Sequence, residues 1–149
     1  RIRSEAFSQC TSLESLDLPP ALTEIEARAF YKCKNLSSVN FPEGLKQIGK
    51  EAFYFCAIDH LKLPQSLEVL EESAFFKCKN LTHVCLPTGI RYIGKWVFRG
   101  CNRMKYLEIY HNPDFIGSWI INRACTIRCY KGSKVDDYCK EFDFNVEYL

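Results

Sequence analysis

Residues 36–56 read Leu36-Ser-Ser-Val-Asn-Phe-Pro42-Glu-Gly-Leu45-Lys-Gln-Ile48-Gly-Lys-Glu-Ala52-Phe53-Tyr-Phe-Cys56, and most of the chain consists of copies of this stretch. Its second half recurs as Ile2 to Cys10, Ile25 to Cys33, Leu70 to Cys78 and Ile93 to Cys101. The phenylalanines Phe7, Phe30, Phe53, Phe75 and Phe98 are spaced by 23, 23, 22 and 23 residues. The short step has a visible cause: one residue is missing after Cys56, where Ala57-Ile58 stands in place of Lys-Asn-Leu or Thr-Ser-Leu. The first half recurs as Leu13 to Pro19, Ile58 to Pro64 and Leu81 to Pro87, with Met104 to Tyr110 as a copy lacking the proline. A fixed period of this length is the mark of a stacked-repeat architecture.

The x-Val-x-Leu part alternates with period two, which makes it a short strand with one buried face. Pro ends it, because proline cannot donate to a ladder. The Ile-x-x-x-Ala-Phe-x-x-Cys part is too short for a long helix and predicts a turn or one to two helical turns. No single unit can bury its own apolar rows, whereas stacking buries all of them continuously. Strands of adjacent units then lie ~4.8 Å apart. The expected fold is an α/β repeat solenoid: a right-handed superhelix with one parallel sheet.

At this point the residues resemble the BspA-type leucine-rich repeat over about residues 1–110. The ending Thr126 to Cys139 is similar to the one that often closes bacterial members. The resemblance implies a non-enzymatic interaction or adhesion module of a bacterial surface or secreted protein. The partner it implies is a protein, of host matrix or cell surface, and it implies no cofactor.

The tail read from its residues agrees with a cap. Thr126 to Tyr130 repeats the strand alternation, and Ser133-x-x-Asp136 resembles a capping box. Val135, Tyr138, Cys139 and Phe142 form one helical stripe, and Phe144, Val146 and Tyr148 alternate as a last strand. The domain expected is a single one over 1–149, with about five repeats over 1–110 and an irregular last repeat and helix–strand cap over 111–149. Segment His111 to Cys125, with Phe115, Trp119 and Ile120, is either a contact loop or a shortened repeat packing inward. The chain opens Arg1-Ile2-Arg3 inside a unit, with neither initiator Met nor apolar leader, so we expect a piece of a longer protein.

A formal charge of +2 with scattered basic residues gives no broad field for nucleic acid, and no apolar run is long enough to insert in a membrane. Cys10, Cys33, Cys56, Cys78 and Cys101 share one repeat position, which predicts a buried ladder of free thiols filling a tight corner. The non-core strand positions form two exposed rows. One holds Ser15, Ser38, His60, His83 and Tyr106; the other holds Asp17, Asn40, Lys62, Cys85 and Glu108. Candidate partner-binding residues are His60, Lys62, His83, Cys85, Tyr106, Glu108 and Tyr110, with the tyrosines foremost because Tyr carries disproportionate binding energy. His60 and His83 should be lateral neighbours with Cys85 close by, so a zinc site or a low-pKa thiol is a rival to a plain polar patch. A stalk that displays another domain is the structural alternative. No phosphate loop, nucleophile elbow or His-Glu-x-x-His is present.

Overall fold

Short alternating segments give short strands. The computed structural model describes all of residues 1–149. In chain order the elements are β1 (Ser15–Asp17), β2 (Glu24–Ile25), β3 (Ser38–Asn40), β4 (Gln47–Ile48), β5 (Val69–Leu70), β6 (His83–Cys85), β7 (Tyr92–Ile93), β8 (Tyr106–Glu108), β9 (Phe115–Ile116), β10 (Thr126–Cys129), α1 (Lys134–Phe142) and β11 (Asn145–Tyr148). All strand pairs are parallel, as a solenoid of successive turns requires. The bonding is divided between two ladders. The expected x-Val-x-Leu strands form β1–β3 and β6–β8–β10–β11, and a second ladder runs β2–β4–β5–β7–β9.

The second ladder rests on the isoleucine row. Ile25, Ile48, Leu70, Ile93 and Ile116 stand in register, and the first four are wholly buried. Two-residue strands are too short to show alternation in sequence. Close stacking here needs small residues in places: a Cβ on Gly94 would lie 2.3 Å from the Glu72 nitrogen.

No helix forms between this ladder and the cysteines. Each corner instead holds two residues in the left-handed region, such as Arg28 and Lys32, Glu51 and Phe55, and Ser73 and Lys77, with φ between 55° and 59°. These kinks turn main-chain N–H groups toward the next turn. Arg28 donates to the Lys50 carbonyl at 2.8 Å, Phe30 to that of Ala52 at 2.8 Å and Lys32 to that of Tyr54 at 2.7 Å. An α-helix would have kept those donors inside one turn, whereas here they join turns together.

Phe7, Phe30, Phe53, Phe75 and Phe98 stack face to face with centroids 5.2–5.6 Å apart. Beside them the thiols of Cys33, Cys56, Cys78 and Cys101 donate to the carbonyls of Phe7, Phe30, Phe53 and Phe75, at 3.0–3.3 Å. All nine cysteines are free. The expected ladder therefore exists, with one correction. Cys10 is exposed, as is Phe7 at 43%, both in the first turn described.

The helix α1 starts at Ser133, whose Oγ accepts the Asp136 N–H at 3.2 Å, and ends at Asp143 in the left-handed conformation. The capping box is not reciprocal. Asp136 accepts the Gly132 N–H at 2.8 Å and the Tyr148 hydroxyl at 3.0 Å instead. Tyr138 donates to the Gly117 carbonyl at 2.7 Å, so the helix is tied to the sixth turn. That turn continues the stacking through β9. Ile120 and Ile121 are buried, Trp119 packs edge-on against Phe142 and Phe144, and Phe115 is 47% exposed against Tyr92. No helix is long and apolar enough to cross a membrane.

Candidate functional site

Alternation along β6, β8, β10 and β11 sends every second side chain outward. Register then aligns His83, Tyr106, Thr126 and Asn145 in one row, and Cys85, Glu108, Arg128 and Glu147 in the next. Glu108 is the centre of this patch. Its carboxylate pairs with His83, accepts the Tyr110 hydroxyl, and lies 3.9 Å from the Arg128 guanidinium. The Tyr110 bond, with His83 and Arg128, holds the carboxyl below its ordinary range despite partial burial. Burial and the same bond push the Tyr110 hydroxyl up to about 12. Arg128 sits 3.6 Å over the Tyr106 ring and pairs with Glu147 at 3.1 Å. Four of the expected residues, His83, Tyr106, Glu108 and Tyr110, are thus joined in one network, and a cation above an aromatic face adds to its order.

Cys85 stands in this patch, but not as an activated thiol. It is exposed, and burial of its sulfur together with the Glu108 charge raises its pKa. The low-pKa reading is overturned: a thiolate there would face a carboxylate. No group of three or more His, Cys, Asp or Glu side chains is placed to hold a metal ion.

His60 and Lys62 lie apart from the network. Their segment, Asp59 to Leu63, is outside every strand, so the ladder breaks between β3 and β6. Leu61 and Leu63 still reach the core, at 9% and 5% exposure. The main-chain N–H groups of Asp59, His60, Leu61, Lys62 and Leu63 find no main-chain acceptor, and Phe41 and Thr82 donate nothing across the break. The turn that lacks one residue is the one whose ladder fails. Beside the break is a hollow of about 440 Å³, lined among others by Ser38, Asn40, Glu43, Asp59, His60 and Lys62. Its volume falls in the range of ordinary ligand clefts, roughly 300–1,000 Å³, although its lining is mostly polar. His60 and His83 accordingly do not face each other across a formed ladder.

Glu147 escaped the sequence reading, although the alternation of the last strand places it beside Arg128. A row of half-buried aromatics after the buried phenylalanines, Tyr31, Tyr54 and Phe76, was missed as well. Its signal was an aromatic at one repeat position in three consecutive units.

The model of the BspA type leucine-rich repeat region matches six copies over residues 1–128. A search of curated proteins returns no match. Among solved structures, the chain is similar to a leucine-rich repeat protein of T. pallidum, with 22% identity, a TM-score of 0.71 and coverage of 97% of this chain and 77% of that one. It is similar to the pneumococcal vaccine antigen PcpA at 20% identity and TM-score 0.71, spanning 91% of this chain and 41% of that one. It also resembles a leucine-rich cell surface protein of Faecalibacterium prausnitzii at 16% identity and TM-score 0.53, over 97% of this chain and 62% of that one. At these identities the likeness is one of fold. With the repeat model covering most of its length, the chain belongs to the BspA-type leucine-rich repeat family.

Proposed function

We propose that this chain is a protein-binding or adhesion scaffold of a bacterial surface or secreted protein, and that it holds its partner along the sheet face from the hollow at His60 and Lys62 to the Glu108 network. The observation that carries the reading is the broken ladder. Five consecutive residues present main-chain donors without main-chain acceptors beside a hollow, and an extended partner segment satisfies such groups as an added strand does. Rigid aromatic and charged side chains at Tyr106, Tyr110 and Arg128 supply anchors of the kind that dominate interfaces. The surface location is supported by neighbours that include a cell surface protein and a vaccine antigen.

The test compares three folded forms in crosslinking capture from cell-surface and matrix extracts. These are the wild type, a His60→Glu, His83→Glu, Tyr106→Ala variant, and a variant in which Lys-Asn-Leu replaces Ala57-Ile58 to restore the full repeat. A single partner captured by the wild type and lost by both variants is expected. Equal capture by all three forms would move the site off this face, and no capture at all would favour a stalk.

A further inference from the structure

The corner that follows each buried phenylalanine runs Tyr31-Lys-Cys-Lys34, Tyr54-Phe-Cys-Ala57, Phe76-Lys-Cys-Lys79 and Arg99-Gly-Cys-Asn-Arg103. Main-chain bonds set these stretches side by side: Lys32 donates to the Tyr54 carbonyl at 2.7 Å, Phe55 to that of Phe76 at 2.8 Å and Lys77 to that of Arg99 at 2.8 Å. Cys33 and Cys78 point inward, so the lysines on either side of them point out. The corner at Cys56 carries no cation, and Arg99 and Arg103 lie two residues either side of Cys101. Lys32, Lys34, Lys77, Lys79 and Arg103 are exposed, and Arg99 is half-exposed.

None of these six cations takes part in an ion pair. On the second ladder, by contrast, Arg28 pairs with Glu51, Lys46 with Glu68, and Lys50 and Lys95 with Glu72. No carboxylate occurs in residues 31–38, 76–85 or 99–107. A chain of formal charge +2 therefore concentrates unneutralised positive charge on one edge. The lysine stems are also held in place. Their ammonium groups lie 5.4 Å from the Tyr31 centroid for Lys32, 5.7 Å from Phe76 for Lys77 and 5.1 Å from Phe55 for Lys79.

We propose that this corner binds a linear sulfated or carboxylated polysaccharide lying along the solenoid axis, independently of the sheet face. The cations lie on three of four successive turns, spanning about 15 Å at a strand spacing of ~4.8 Å, which suits a chain rather than a single anion. Its charges are mostly lysine ammonium groups, compact and rotatable, which suit anionic groups dispersed along a sugar chain. Single-stranded nucleic acid needs open ring faces, and here the rings cover one another: Tyr31 on Tyr54 at 4.8 Å and Tyr54 on Phe76 at 5.2 Å. An acidic protein surface needs an apolar centre to bury, and the half-buried rings lie beneath the lysine stems.

The test uses heparin oligosaccharide as the probe, by calorimetry and by salt elution from immobilised heparin. The variants are K32E/K34E, K77E/K79E and the charge-matched control K131E/K134E, with K77Q/K79Q as a milder form and circular dichroism to establish folding. Binding should be weaker by at least about tenfold in both corner variants, with a shallower salt dependence because fewer counterions are released. The control should bind as the wild type does. Equal weakening in the control, or no heparin binding by the wild type, would overturn the proposal. So would tighter binding of single-stranded DNA or polyglutamate through the same lysines, which would make the ligand a nucleic acid or an acidic peptide.

Discussion

Ser73 is 5% exposed and sits at φ +57°, a conformation that costs a residue with a Cβ about 1–2 kcal/mol. Glycine escapes that cost but loses roughly 0.5–1 kcal/mol of extra chain entropy on folding. Ser73→Gly should therefore raise stability by up to about 1 kcal/mol, and Ser73→Val should lower it, because a β-branched side chain is a true outlier there. Urea unfolding of the two variants checks the sign of each change. The buried rows were legible from single letters, since Leu, Ile, Ala, Phe and Cys return at fixed intervals and only burial explains that. The left-handed positions were not. Arg28, Glu51, Ser73 and Trp96 share one such position and have no chemistry in common, so the turn is imposed by bonds to the next unit rather than by local preference. Of the candidate site residues, those on β6 and β8 were placed by alternation alone. His60 and Lys62 point outward as alternation expects, but their segment leaves the ladder, because a deleted residue changes geometry while leaving the apolar pattern intact.

At the scale of elements, the terminal cap was readable as helix and strand, and its electrostatic lock was not. Asp136 is buried and holds the Gly132 amide and the Tyr148 hydroxyl, with the Lys140 ammonium 3.6 Å away. The Gly132 bond is the chief cause of its lowered pKa, helped by Tyr148 and Lys140 against the effect of burial. A carboxyl whose pKa falls on folding adds stability that is complete above its unfolded value, near 3.9. That stability disappears as pH drops through the depressed folded value. The cap of the wild type should therefore loosen on the acid side of about pH 4. Asp136→Asn should be less stable at neutral pH and should show a flatter acid limb. Helical circular dichroism and urea midpoints from pH 7 to pH 2 test this; parallel acid limbs for the two proteins would remove Asp136 from the account. The second ladder stayed hidden for a related reason, since two-residue strands carry no period to detect.

For the molecule as a whole, a solenoid's stability is close to a sum of unit terms and nearest-neighbour interfaces. The interfaces here are unequal. Most turns are joined by two ladders, the corner bonds and the phenylalanine stack, whereas the turn of Asp59 to Leu63 lacks the first ladder on both sides. That turn depends on Phe53, which stacks on Phe30 and Phe75 and meets Phe41 edge-on at 5.6 Å. Phe53→Ala should cost about 3–5 kcal/mol, as full truncation of a buried aromatic does. It should also divide unfolding into two steps, with β6–β8–β10–β11 and its helix outlasting the first two turns. Phe98→Ala removes a ring of the same size where the ladders are intact, so its unfolding should stay a single transition. Hydrogen exchange separates the outcomes. In the wild type the amides of Asp59 to Leu63 should exchange fast amid protected neighbours, and restoring the missing residue with Lys-Asn-Leu should slow them. The same replacement, combined with Phe53→Ala, should merge the two steps again, because the missing ladder and the missing ring weaken one seam.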